Sequence, residues 1–340
     1  MSAQHDIPLR QGRPGFGLAL RRIEAHLRAM LPGLRGPMRV EPLGHGGTSY
    51  RIDFDDRAML LRVDAIADMV AGAPVSVPVS PIRREHRIVA ALAAHGVPVP
   101  KTLLVCDDPL VAGRPFYVAA LPEGRVFSAC GLPELAPAQR RGVYFSLAET
   151  LARLHRVDWA AAGLADYAGA GHFFAREVAR WNRQLDPQAS GGFPRPGLAR
   201  VGAWLAAHLP GADDSAIHHG DVRLARLVFD AGCGQVIALC GWEHAALGHP
   251  LADVAQSCLP WQLGQGAAGI RDLDLARHGL PTQAEYLTHY RLCGGHAESV
   301  TTFHLVFALF RDALAPPGGD TRLGAALALR ALELIDGASV

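Results

Sequence analysis

Lysine is almost missing from this 340-residue chain: of its 33 Lys and Arg residues, only Lys101 is a lysine. Exchange of arginine for lysine is nearly free at ordinary surface sites, so the bias reads as genomic composition rather than as a built binding surface. Excess charge is missing too, since 32 Asp and Glu leave a formal net charge of +1. That balance gives no reason to expect nucleic acid or an anionic membrane as an obligatory partner. No uninterrupted apolar run reaches the roughly 18 residues needed to span a bilayer, and Met1 to Asp6 lacks a basic stretch followed by an apolar one. The six cysteines (Cys106, Cys130, Cys233, Cys240, Cys258 and Cys293) are dispersed without a Cys-x-x-Cys pair, so they read as reduced thiols rather than a disulfide framework. The expectation is a cytoplasmic protein.

What is present is a 49% hydrophobic content, enough for a substantial core. Residues 1–15 are polar and broken by Gly and Pro, and read as a loose arm. Leu20, Ile23, Leu27 and Met30 then recur at helical spacing until Pro32-Gly33. From Arg39 to Val63 the pattern changes to strand, glycine-rich turn, strand, turn and strand. A helix beginning near Ile82 and ending at Gly96 precedes strands around 101–106 and 115–121. Helical periodicity dominates from Pro133 onward (144–155, 173–185, 198–209 and 250–338). It is interrupted by apolar runs at Leu227–Phe229 and Val236–Cys240, which flank a Gly-containing turn and read as a hairpin. This predicts an α+β, bilobal layout: an arm and helix over 1–37, a small antiparallel β lobe with a helix over 38–122, and a larger helical lobe over 123–340. The cleft between the lobes is the expected ligand site.

Three groups of residues carry the candidate chemistry. In the turn Gly44-His45-Gly46-Gly47-Thr48-Ser49, residues Gly46, Gly47 and Ser49 would let backbone N–H groups approach phosphate oxygens; a tight hairpin with no ligand has the same signature. Arg62 on a following strand and Glu85 on the next helix match the cation that grips phosphates and the acid that holds it, or a surface charge pair. Most specific is His219-Gly220-Asp221-Val222-Arg223-Leu224-Ala225-Arg226, followed after the hairpin by Gly241-Trp242-Glu243. Phosphoryl transfer to an alcohol needs a carboxylate near the hydroxyl, an amide oxygen for a metal ion, and a second acid bridging metal to phosphates. The order His-Gly-Asp, hairpin, x-Trp-Glu supplies that frame.

These motifs resemble the aminoglycoside phosphotransferase and choline kinase family, in particular the branch found as kinase-like domains fused to acyl-CoA dehydrogenases. The likeness extends over about 38–330 and includes Arg84-Glu85, Phe116–Arg125, Leu151–His155, Phe174–Trp181 and Phe307–Arg311. It implies a protein-kinase-like fold. The family's catalytic acid maps onto Asp221 and its supporting histidine onto His219, whereas its metal-binding Asn maps onto Arg226, its metal-bridging Asp onto Gly241, and the Asp of its Gly-Asp-Pro motif onto His249. Arginine has no acceptor and glycine no side-chain oxygen, so no metal is expected at Arg226 and Gly241. Arg226 either projects into the vacated space to grip an anionic ligand or turns outward; Glu243 is a further candidate ligand-binding residue, or the acid that serves an altered metal site. The resulting expectation is a small-molecule binder or metal-independent enzyme centred on Asp221, with His219 a candidate acid/base partner and no certain cofactor. The alternatives are an active phosphotransferase using ATP and Mg²⁺ at an altered site, and a non-catalytic pseudokinase partner protein.

Overall fold

The structure, a computed structural model, describes residues 18–43, 47–64, 80–167, 169, 171–185, 195–211, 214–316 and 319–338. The chain forms two compact units, Met1–His86 with Thr102–Leu121, and Arg87–Lys101 with Pro122–Val340.

In the first unit, helix α1 (Leu20–Met30) buries Ile23 and Leu27, one turn apart, and links Arg28 to Glu24 on its outer face. Strands β1 (Arg39–Pro42), β2 (Ser49–Asp53) and β3 (Ala58–Val63) follow, then helix α2 (Pro81–Ala94), whose first turns belong to this unit. Strand β4 (Thr102–Cys106), the short helix α3 (Pro109–Ala112) and strand β5 (Phe116–Ala120) complete it. The sheet is antiparallel with order β1-β2-β3-β5-β4. Strict alternation sends Tyr50, Ile52, Met59, Leu61 and Val63 into one core with Phe116 and Val118. Arg62 therefore faces the other side of the sheet.

The second unit holds helices α4 (Pro137–His155), α5 (Phe173–Leu185), α6 (Pro196–Ala207), α7 (Pro250–Ser257), α8 (Gln283–Leu292), α9 (Thr302–Leu314) and α10 (Thr321–Ala338). It has two apolar centres, one around α4 with Trp242, Trp261 and Tyr286, the other joining α5, α6, α9 and α10 through Phe174, Trp181, Phe307 and Phe310. The predicted hairpin is β7 (Leu227–Phe229) paired with β8 (Val236–Leu239). A second ladder, β6 (Ala216–His218) against β9 (Ala246–Gly248), was not visible in the sequence because its short strands lie far apart in the chain and no turn between them signals the pairing. The segment 219–226 runs from the end of β6 to the start of β7, so both ladders hold its ends. Among the described residues, no helix is long and apolar enough to cross a membrane.

Candidate functional site

In the first unit, Arg62 and Glu85 form a buried, two-pronged ion pair: Nε donates to Oε1 at 2.8 Å and Nη2 to Oε2 at 2.7 Å. The Tyr117 hydroxyl also donates to Glu85 Oε1, at 2.7 Å. Ser49 lies opposite Arg62 across the β2–β3 ladder and accepts from its Nη1. Gly47 has φ +62°, a left-handed conformation that suits glycine, and its carbonyl accepts from the Tyr50 hydroxyl at 2.8 Å. Gly46 and His45 lie outside the described residues.

In the second unit the 219–226 loop is fixed from behind by a residue the sequence reading did not assign to the site. Asp253 on α7 is fully buried and accepts from the backbone N–H of His219 at 2.6 Å and of Gly220 at 2.9 Å. His155, from the end of α4, approaches the same carboxylate at 3.4 Å and contacts the Tyr290 hydroxyl at 2.9 Å. Burial raises the Asp253 pKa, but the His155 hydrogen bond and the neighbouring imidazoles reverse this and hold the carboxyl well below its ordinary range. Gln256, one turn along α7, accepts from Val222 N–H at 2.8 Å. Gly220 has φ +79°, and a Cβ there would stand 2.6 Å from the His244 carbonyl oxygen, so the turn before Asp221 admits only glycine without rearrangement.

His219 serves the loop through both ring nitrogens. Its Nδ1 accepts from Asp221 N–H at 3.1 Å, which leaves Nε2–H to donate to the Cys240 carbonyl at 3.0 Å. Burial lowers its pKa to about 4, so the ring is neutral at physiological pH. The acid/base pairing envisaged from the sequence is thus not the arrangement formed. His219 touches the backbone of Asp221 rather than its carboxylate, and acts as a positioning residue. His218 is also buried and its pKa lowered by burial; its Nδ1 lies 3.8 Å from Asp253.

The Asp221 carboxylate faces two guanidinium groups. Arg223 Nε donates to Oδ1 at 2.6 Å and Arg226 Nε to Oδ2 at 2.7 Å. Arg226 then reaches Glu243 Oε1 through Nη2 at 2.9 Å, so it bridges two acids. Arg223 also lies 3.6 Å from Asp312 on α9. Burial raises the Asp221 pKa, but Arg223 and Arg226 outweigh it and leave the group at about 2. Arg226 therefore takes the inward of its two expected orientations. Gly241 has φ +86°, and a Cβ there would stand 2.8 Å from Arg226 Nη1 and 2.9 Å from its Cδ and Cζ.

This donor set does not fit Mg²⁺. The hard oxygen ligands such an ion requires are reduced to carboxylates already joined by a guanidinium, and position 241 contributes no side chain. Among the described residues, the groups with spacing suited to a metal ion are Glu149 with His289 and Cys293, and Asp214 with His249 and His296; neither contains Asp221 or Glu243. In the second group, His249 Nδ1 accepts from Leu251 N–H and His296 Nδ1 from Glu298 N–H, which keeps the proton on Nε2 and disfavours ligation there. Cys240, beside Gly241, has its thiol pushed up to about 11 by burial, as suits a strand-end residue rather than a nucleophile.

Comparison with known proteins agrees with this frame. A family model described as the phosphotransferase enzyme family matches residues 39–287. The chain belongs to the phosphotransferase enzyme family. Mouse acyl-CoA dehydrogenase family member 10 is 34% identical over 298 residues, covering 86% of this chain and 27% of that protein. Human acyl-CoA dehydrogenase family member 11 is 33% identical over 230 residues, covering 67% of this chain and 29% of that protein. The chain thus spans less than a third of the length of these curated relatives. Among solved structures, a candidate aminoglycoside phosphotransferase from Ralstonia eutropha superposes with a TM-score of 0.78 at 29% identity, over 94% of this chain and 99% of that one. Choline kinase LicA from Streptococcus pneumoniae shares the fold at a TM-score of 0.59 and 14% identity, over 94% and 99%.

Within this phosphotransferase-family chain the aromatic positions Trp181, Trp261, Tyr286, Phe303 and Phe307 are core, all below 8% exposed. The residues that the sequence reading left out of the site are Arg223, His155, Asp253 and Gln256. Arg223 stood inside the 219–226 motif and His155 at the end of the matching stretch Leu151–His155. Their signal was their place in those matching stretches, which a search for metal ligands passes over.

Proposed function

We propose that this phosphotransferase-family chain binds a small molecule of the cytoplasm at the 219–226 loop without Mg²⁺-ATP phosphotransfer, with Asp221 as the charged centre of the site. One observation carries the reading: Arg226 is bonded between Asp221 and Glu243 and lies against the bare Cα of Gly241, in the space that metal ligands would share. A cation supplied by the chain takes the electrostatic role that a metal ion would otherwise have, and it cannot bridge phosphate oxygens as Mg²⁺ does. Asp221, held at about 2 with both oxygens in ion pairs, is a weak base at neutral pH; this favours binding and orientation over proton abstraction.

A second reading is a phosphotransferase with an altered metal site. It is favoured by the buried Arg62–Glu85 pair, the arrangement by which a kinase-type site steadies a cation for phosphate. Relatives of this fold include proteins named as aminoglycoside phosphotransferases and choline kinase, which makes hydroxyl-bearing small molecules the acceptors to try.

Thermal-shift titration with ATP, with and without Mg²⁺, separates the two, followed by radiolabelled phosphate transfer to a panel of small alcohols. The first reading expects no Mg²⁺-dependent stabilisation and no labelled product. Magnesium-dependent stabilisation, with transfer lost in Asp221→Asn, would overturn it.

A further inference from the structure

A cavity of about 270 Å³ opens within the second unit beside the 222–225 backbone. Its walls are largely hydrocarbon, from Leu147 on α4, Leu224 on the loop, Leu259 and Leu263 after α7, and Leu323 and Leu327 on α10. Most of the polar side chains that reach it already hold partners, chiefly backbone groups. The Tyr144 hydroxyl donates to the Cys130 carbonyl at 2.7 Å. Gln256 accepts from Val222 N–H and donates to Asp312. Ser257 Oγ donates to the Val254 carbonyl and accepts from the Tyr286 hydroxyl. Away from Ser128 and Asp312, which also line the cavity, a ligand hydroxyl or ammonium placed along the leucine walls would lose water and gain no side-chain partner, which is costly for each such group. Arg223 and Asp312, 3.6 Å apart, also line it. Arg223 spends Nε and Nη2 on Asp221 and Asp312, while its Nη1 makes no hydrogen bond among the described residues.

We infer that this cavity takes the hydrocarbon part of an amphipathic small molecule whose hydrogen-bond-accepting head lies at Arg223, next to Asp221. The inference rests on the reading that the loop binds a small molecule, and it names the class of that molecule. Size follows from volume: an apolar cavity of roughly 150 Å³ holds benzene, so this one accommodates about ten carbons. The same walls exclude a densely hydroxylated polycation of the aminoglycoside kind, whose ammonium groups call for a field of carboxylates rather than leucines. Neither statement depends on whether phosphate is transferred.

The test is a homologous series of straight-chain carboxylates, from butanoate to tetradecanoate, with kanamycin as the polycationic control. Binding to the full chain is followed by displacement of an anilinonaphthalene sulfonate dye and by thermal shift. Affinity is expected to rise about fourfold per added methylene while the chain is being buried, and to level off near ten carbons. Leu327→Trp, which fills the cavity, is expected to remove the chain-length dependence. Ala267→Phe, at a partly exposed lining position, gives the same readout if the first variant does not fold. Affinity indifferent to chain length, a dependence that survives a folded cavity-filling variant, or kanamycin binding as tightly as decanoate would each overturn the inference. Mg²⁺-ATP transfer to an alcohol would overturn the proposed function and leave this result standing.

Discussion

Arg226 and Gly241 are complementary in shape. The guanidinium and Cδ of Arg226 lie where a side chain at 241 would begin, with three of its atoms 2.8–2.9 Å from an ideal Cβ. Positions 226 and 241 are therefore sterically coupled: the side chain of one fills the room that the other leaves. Arg226 extends into that space because Asp221 and Glu243 draw its nitrogens there, and the missing Cβ makes room for it.

The coupling is measurable. Gly241→Asp alone drives a carboxylate into Arg226 and, as an overpacking change, is expected to cost roughly 1–3 kcal/mol in urea unfolding. Arg226→Asn together with Gly241→Asp relieves the clash, so the double variant should be more stable than the sum of the single effects predicts. It should also gain Mg²⁺-dependent stabilisation by ATP that neither single variant shows.

Acid should weaken the fold in two separate windows. His219 has its pKa lowered to about 4 in the folded state, so the unfolded chain binds the proton more readily. Its contribution is fully present above about pH 6.5 and is lost as pH falls toward 4, a change of roughly 3 kcal/mol. Asp221, lowered to about 2, stabilises above its unfolded pKa near 4 and loses that contribution between about pH 4 and 2, roughly 2 kcal/mol. Urea melts across pH 2–7 check both windows. Arg226→Gln is expected to shrink the lower window and leave the upper one, because it removes a guanidinium from Asp221 without touching the His219 ring.

Asp253→Asn tests the support behind the loop. The neutral amide keeps an acceptor for one of the two backbone N–H groups and turns a donor toward the other, and the expected loss of stability is roughly 3–5 kcal/mol. Hydrogen exchange at the amides of His219, Gly220 and Asp221 should accelerate more than at Phe174 or Phe307. Uniform acceleration would make Asp253 a general core residue rather than an anchor of this loop.

Arg62→Lys separates geometry from charge in the first unit. Lysine keeps the positive charge but loses the two-pronged contact with Glu85, so a loss of roughly 1–3 kcal/mol is expected despite the conserved charge. A double-mutant cycle with Glu85→Gln should show strong coupling between the two positions. Additive effects would mean that the pair contributes little.

Much of the fold was legible in the sequence. Helix α5 has the bounds that its periodicity predicts, α1 keeps Ile23 and Leu27 inward, and the 227–239 hairpin forms where two apolar runs flank a turn. These elements answer to patterns a few residues long. The β6–β9 ladder was invisible because its strands lie far apart in the chain, with no turn to join them as one joins the hairpin. The site was legible in part. Asp221, Arg226, Gly241 and Glu243 could be named from the motif, but Asp253 lies 34 positions from the His219 amide it holds, and no local pattern links them.

The sequence by itself determined the family and the α+β architecture, and it set the residue types at 226 and 241, an arginine without an acceptor and a glycine without a side-chain oxygen. Only the tertiary structure decided where that arginine goes, that Asp221 carries two guanidinium groups, and that both nitrogens of His219 are bound to backbone. It alone shows the leucine-walled cavity beside the loop. Those properties arise from side chains far apart in sequence that packing brings within a few ångströms, where burial and charge together set what each group can do.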